Sequence, residues 1–93
     1  MLRITISSTT RVERWTLMGR LVSPWVNELE ASWKRAHRRS HRRKCIVDLA
    51  EVTFIDESGE RMLLSMSNHG AQFLASDVYV RDVLDRLKSK SNQ

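Results

Sequence analysis

The sequence is short of the residues that build covalent frameworks, metal cages and phosphate loops. A single cysteine, Cys45, rules out an internal disulfide framework, and its place in an apolar run reads as a small buried thiol. No Cys/His pair has zinc spacing. Of the three histidines, His37 and His41 sit among cations that oppose metal binding and His69 is far away, so no metal site is expected. With three glycines and one proline, there is no glycine-rich phosphate loop, no low-complexity tract and no internal linker. Apolar runs are only a few residues long and no charged segment followed by an apolar run opens the chain. Neither a membrane span nor a signal peptide is expected, and the expected location is the cytoplasm.

What is present is enough for one small domain over residues 1–93, with 41% hydrophobic residues for a single core. The net charge of +5 comes from one place. Lys34, Arg35, Arg38, Arg39, Arg42, Arg43 and Lys44 put seven cations into eleven residues, and the rest of the chain is left at −2. This run suits the negative end of a helix, and it is also a candidate site for an anion, either nucleic acid or an anionic membrane surface.

Leu2, Ile4 and Ile6 alternate with polar residues, predicting a half-buried strand closed by a polar turn over residues 8–10. A second strand is expected over 11–18, with imperfect alternation that allows a bulge, and with Gly19 ending it. Ser23 and Pro24 supply a capping hydroxyl and a first-turn proline for a helix. Its inner face is Trp25, Val26, Leu29, Trp33 and Ala36, ending near His37. At that spacing Trp25 and Trp33 read as core, with base stacking by Trp15, Trp25 and Trp33 as the alternative. Residues 45–49 form the central strand, expected to be buried on both faces.

After residues 52–55 comes the turn Asp56-Glu-Ser-Gly59, then a helix with Met62, Leu63, Met66 and His69 inward and Gly70 as its terminator. Residues 72–74 read as a short last strand. Ser76 and Asp77 can cap a third helix whose Val80, Val83, Leu84 and Leu87 fall on one stripe, and a polar tail begins at about residue 88. The order β-β-α-β-α-β-α predicts an α/β fold, a mixed four-stranded sheet with helices mainly on one face.

Asp56, Ser58 and Gly59 are therefore delivered by a strand to a helix start, where unpaired N–H groups and the helix dipole favour negative charge. Asp56 is a natural N-cap. Ser58 reads either as an ordinary exposed serine or as a phosphorylation site. Gly59 reads as a point of close backbone approach. Met62 and Met66 read as core filler, with residues 62–68 also expected to offer a contact face beside the turn. No nucleophile elbow and no histidine partner for Ser58 are evident, so an enzyme is not expected, nor is a cofactor.

Over Val47-Asp-Leu-Ala-Glu-Val-Thr-Phe-Ile-Asp-Glu-Ser-Gly59 the chain resembles the STAS domain, the module of the bacterial anti-sigma factor antagonists. Leu17-Met-Gly-Arg-Leu21 is similar to the Leu-x-Gly-x-Leu before that family's first helix, and Gly70 with the strand after it matches a later segment. The resemblance covers nearly the whole chain. It implies a protein-binding regulator in transcriptional signalling, with Ser58 as phosphoacceptor and Asp56, Glu57, Ser58, Gly59, Glu60 and Arg61 meeting a partner. That partner would be an anti-sigma factor that is also a serine kinase, and phosphate on Ser58 would release it. Glu57 and Glu60 depart from the small and aliphatic residues usual at their positions and would repel a phosphate. Two alternatives remain: an accessory subunit of a lipid transport system, making peripheral membrane contact, and a nucleic-acid-binding module using residues 34–44.

Overall fold

The first polar turn forms around one hydroxyl. Thr9 Oγ1 accepts from the N–H groups of Arg11 at 3.3 Å and Val12 at 3.1 Å, and the Thr9 N–H donates to the Val12 carbonyl at 2.8 Å. The computed structural model describes residues 1–39 and 43–91, apart from the side chains of 37–39, 90 and 91. In it the turn joins β1 (Leu2–Ser8) and β2 (Val12–Leu21) into an antiparallel hairpin. Then follow α1 (Val26–Arg39), β3 (Lys44–Ile55), α2 (Glu57–Asn68), β4 (Gln72–Leu74) and α3 (Val78–Ser91). The four strands form one mixed sheet in the order β1-β2-β3-β4, with β2, β3 and β4 parallel. Both crossovers step the same way across the sheet, which puts their helices on the same face.

One core fills the space between sheet and helices. Leu2, Trp15, Leu17, Leu21, Val47, Leu49, Val52 and Ile55 from the strands meet Leu29, Trp33, Leu63, Met66, Val80 and Val83 from the helices. Trp15 and Trp33 are both buried and pack edge to face with ring centroids 5.5 Å apart, and Trp25 packs partly buried against the core. The other sheet face is polar, and on it Arg14 Nη2 lies 2.7 Å from Asp48 Oδ2. The Ala50 N–H and then Arg14 hold the Asp48 carboxyl below the usual carboxylate range.

Several expectations change here. β3 is not buried on both faces: Val47 and Leu49 are buried while Ile46 and Asp48 are only half-covered, because the helices cover one side. Gly19 does not end β2. It continues the strand at φ +105°, where a Cβ would collide with the Met1 carbonyl oxygen, and the strand runs on to Leu21. The irregularity lies across from β2, since the pairings Thr16 with Asp48, Met18 with Glu51, Gly19 with Val52 and Arg20 with Phe54 place the extra residues on β3. Val52 and Ile55 can both point into the core as a result, and Thr53 and Phe54 are pushed outside.

α1 begins at Val26, later than the Ser23 and Pro24 cap predicts, and the Ser23 N–H is drawn instead to Asp56. His69 is not on the inner face of α2; it is the exposed residue at which that helix ends. The Ala71 N–H reaches the Met66 carbonyl and the Gly70 N–H that of Ser67, both at 3.0 Å, with Gly70 at φ +93°. α3 is capped by Asp77, whose Oδ1 accepts from the Tyr79 N–H at 2.7 Å, and it continues to Ser91, past the start of the expected tail.

Candidate functional site

The site begins where β3 leaves the sheet. Ile55 is the last strand residue, and its N–H and carbonyl are both held by the Tyr79 hydroxyl, at 3.1 and 3.0 Å. The next N–H, of Asp56, donates to the Leu21 carbonyl at 3.2 Å. The chain end of β3 is thus tied to α3 on one side and to the end of β2 on the other before the turn starts.

Asp56 is the N-cap of α2, in extended conformation, and its carboxylate gathers three donors. Oδ1 accepts from the Ser58 hydroxyl at 2.7 Å and the Gly59 N–H at 2.8 Å, and Oδ2 accepts from the Ser23 N–H at 3.0 Å. Partial burial pushes the Asp56 carboxyl up, but the donors of Ser23, Ser58 and Gly59 together hold it below the usual carboxylate range. One carboxylate therefore caps α2, orients Ser58 and fixes the loop before α1.

Gly59 is buried against β2. A Cβ there would collide with the Leu21 backbone carbonyl oxygen and press on Ile55 and Leu21 side-chain atoms at 3.0 and 3.1 Å, so close approach is the reason for glycine. Ser58 beside it is half-exposed, in the first turn of α2, and its hydroxyl donates to Asp56.

Glu57, Glu60 and Arg61 complete the sequence-predicted set, and the fold brings all six residues together. Glu57 lies 3.7 Å from Arg61 one turn on, and Glu60 lies 3.7 Å from Arg86 of α3. Arg86, Ser23 and Tyr79 had no signal in the sequence, because each reaches the turn from a segment distant in the chain. Met62, Leu63 and Met66 are buried in the protein's own core, so of residues 62–68 they offer nothing to a partner.

Next to the turn stands an exposed stack that the sequence did not reveal. The Phe54 ring lies 6.2 Å from that of Tyr79 at an interplanar angle of 7°, and the Arg20 guanidinium sits 5.7 Å from the Phe54 centroid. Phe54 and Tyr79 keep 44% and 39% of their surface exposed, so the stack faces solvent.

The basic segment lies at the other end of β3. Lys34 is 3.7 Å from Glu30, Lys44 opens the strand, and Arg35 and Arg43 are exposed. The side chains of Arg38 and Arg39, and all of Arg42, lie outside the described residues, as do the His37 side chain and His41. Among the described residues no group of His, Cys, Asp and Glu could hold a metal ion, and no helix is long and apolar enough to cross a membrane. Cys45 is half-buried, and burial followed by the nearby Glu13 carboxylate pushes its thiol up to about 11.

No family model and no curated protein matches the chain. Among solved structures it is similar to the STAS domain of an antisigma-factor antagonist from Rhodobacter sphaeroides. The TM-score is 0.54 at 17% sequence identity, over 80% of this chain and 84% of that one. At this identity the likeness is one of fold: the chain has the fold of a STAS domain.

Proposed function

We propose that the protein is a regulatory binding module that presents residues 56–61 to a protein partner and is switched by phosphate on Ser58. The observation that carries this reading is the Ser58 hydroxyl, held by Asp56 at 2.7 Å on a half-exposed first turn of α2. A group so placed is oriented, and it stands at the N-terminal end of α2, where the helix dipole favours added negative charge. The flanking stack of Arg20, Phe54 and Tyr79 supports a protein partner, since exposed aromatics and arginine are the residues enriched where interfaces anchor. The likeness to an antisigma-factor antagonist supports an anti-sigma factor as that partner, and serine kinase activity in it is what the family resemblance of the Asp56–Gly59 turn implies.

A phosphate on Ser58 would displace its bond to Asp56 and set a dianion among Asp56, Glu57 and Glu60. Arg61 and Arg86, loosely paired at 3.7 Å, are the cations near enough to answer it. Adding that charge to a docked surface brings repulsion and desolvation, so the modified form releases the partner.

The test is capture of partners from the source cell with wild-type protein, Ser58→Ala and Ser58→Asp, followed by incubation with the captured kinase and ATP. Wild type and Ser58→Ala should bind alike, Ser58→Asp should bind about tenfold or more weakly, and mass spectrometry should find phosphate on Ser58 alone. Modification that persists in Ser58→Ala, or full binding by Ser58→Asp, defeats the switch. A captured transporter ATPase with no kinase would favour the accessory-subunit alternative.

A further inference from the structure

The end of β3 opposite Ser58 carries a second concave feature that the switch does not use. Between the last half of α1, the β1–β2 hairpin and the start of β3 lies a cleft of about 460 Å³, lined by Ile6, Ser8, Glu13, Ser32, Arg35 and Arg43 among others. Two guanidinium groups line it. Among the described residues neither Arg35 nor Arg43 lies within ion-pair reach of a carboxylate, as is also true of Arg3, Arg11, Arg20 and Arg81, and Arg35 and Arg43 are the two that share this cleft. Arg35 Nη2 donates to Ser32 Oγ at 3.3 Å.

Two permanent cations and one carboxylate, Glu13, line this concavity, which leaves a positive balance that an anion can answer. A guanidinium fork matches phosphate oxygens in pairs, and serine hydroxyls add single donors. One acceptor also faces the cleft. Glu13 Oε1 takes the Trp15 indole N–H at 2.6 Å, which fixes the carboxylate from below and leaves Oε2 for a donor in the cleft. A bare anion gains nothing from Glu13, while a phosphate ester with a neighbouring hydroxyl satisfies both charges. Ile6, 47% exposed at the rim, offers apolar surface to the carbon skeleton.

We propose that this cleft binds a hydroxyl-bearing phosphate ester: Arg35 and Arg43 hold the phosphate, Ser8 and Ser32 donate to it, and Glu13 accepts from the adjacent hydroxyl. Glycerol phosphate has this chemistry, either free or as the headgroup of phosphatidylglycerol. The two sources share the same contacts.

The experiment is a titration of the full chain, followed by amide NMR shifts, with glycerol 3-phosphate and separately with inorganic phosphate, beside sedimentation with vesicles of phosphatidylglycerol or of phosphatidylcholine. Saturable shifts at Ser8, Glu13, Ser32, Arg35 and Arg43 with glycerol 3-phosphate identify a free ligand. Sedimentation with phosphatidylglycerol vesicles alone identifies the headgroup. In either case Arg35→Ala with Arg43→Ala should weaken binding about tenfold or more, and Lys34→Ala, which alters a cation outside the cleft, should leave it nearly unchanged. Glu13→Gln should reduce the preference for glycerol 3-phosphate over inorganic phosphate. The proposal is overturned if neither ligand binds, if Lys34→Ala weakens binding as much as the paired arginine variant, or if Glu13→Gln strengthens both anions equally. All four substitutions lie on the surface or at its edge, and a thermal melt for each confirms that the fold is intact.

Discussion

The two ends of β3 are built on opposite plans. At its C-terminal end nearly every polar group is committed: Asp56 takes three donors, Tyr79 takes both backbone groups of Ile55, and Gly59 leaves no room against Leu21. At its N-terminal end Arg35 and Arg43 line an open cleft. Topology produces much of this contrast. In parallel βα units helices start near the carboxyl ends of strands and finish near the amino ends, so the two helix poles are sorted to opposite sides of the sheet. Carboxylates gather at the first, as Glu28 does in α1 and Glu57 and Glu60 do in α2; at the second, α1 carries Lys34 and Arg35 in its later half, whereas the last turn of α2 has no basic residue. β3 spans twelve residues between them, a separation on the order of 30 Å for a twisted strand. A ligand at one end and a phosphate at the other would not touch.

The largest expected effect comes from the packing beneath the cleft. Trp15→Ala removes a fully buried ring that packs on Trp33 and steadies Glu13, and should lower unfolding free energy by about 3–5 kcal/mol in urea titration. A loss well below that range would mean the cleft floor is not part of the common core.

At the committed end, Gly59→Ala should cost about 1–3 kcal/mol, because the new methyl meets a backbone carbonyl that is itself bonded to Asp56. An equally small change at the cleft, Ser8→Ala, should stay within about 0.5 kcal/mol. Equal costs would erase the contrast between the two ends.

Asp56→Ala should cost about 1–2 kcal/mol as a lost cap. Its pH dependence is more telling. The folded carboxyl sits below its ordinary value, so its contribution is fully present above the unfolded carboxylate range near pH 4 and is lost as pH falls through the lower folded value. Urea midpoints measured from pH 6 down to pH 2 should fall less steeply for Asp56→Asn than for wild type. Identical slopes would show that the three donors do not discriminate charge.

The smallest effect concerns Cys45, beside the cleft. With its thiol pushed up to about 11, alkylation by iodoacetamide at pH 8 should be slow in the folded protein and fast in urea, and Glu13→Gln should speed the folded reaction modestly. No response to Glu13→Gln would place the carboxylate too far away to act on the thiol.

Much of this protein is legible locally. Helical stripes such as Val80, Val83 and Leu87 or Leu29 and Trp33 bury as their spacing predicts, and Asp56 caps the helix it precedes, because each rests on contacts within a few residues. Errors arose where a distant backbone intervened. β3 reads as a strand buried on both faces until the one-sided placement of helices is known. Ser23 looks like a cap until Asp56 claims its N–H, and His69 looks apolar-facing until Gly70 turns the chain away.

The sequence by itself determined the element order, the core stripes and the turn that carries Ser58, since periodicity and capping are short-range properties of the chain. Only the tertiary structure decided that the β3 bulges expose Phe54 to stack with Tyr79 and Arg20, that Arg86 reaches Glu60, and that Arg35 and Arg43 line one cleft with Glu13. The reason is physical: a side chain's neighbours across a sheet or between helices depend on register and crossover, which no spacing within a single segment encodes.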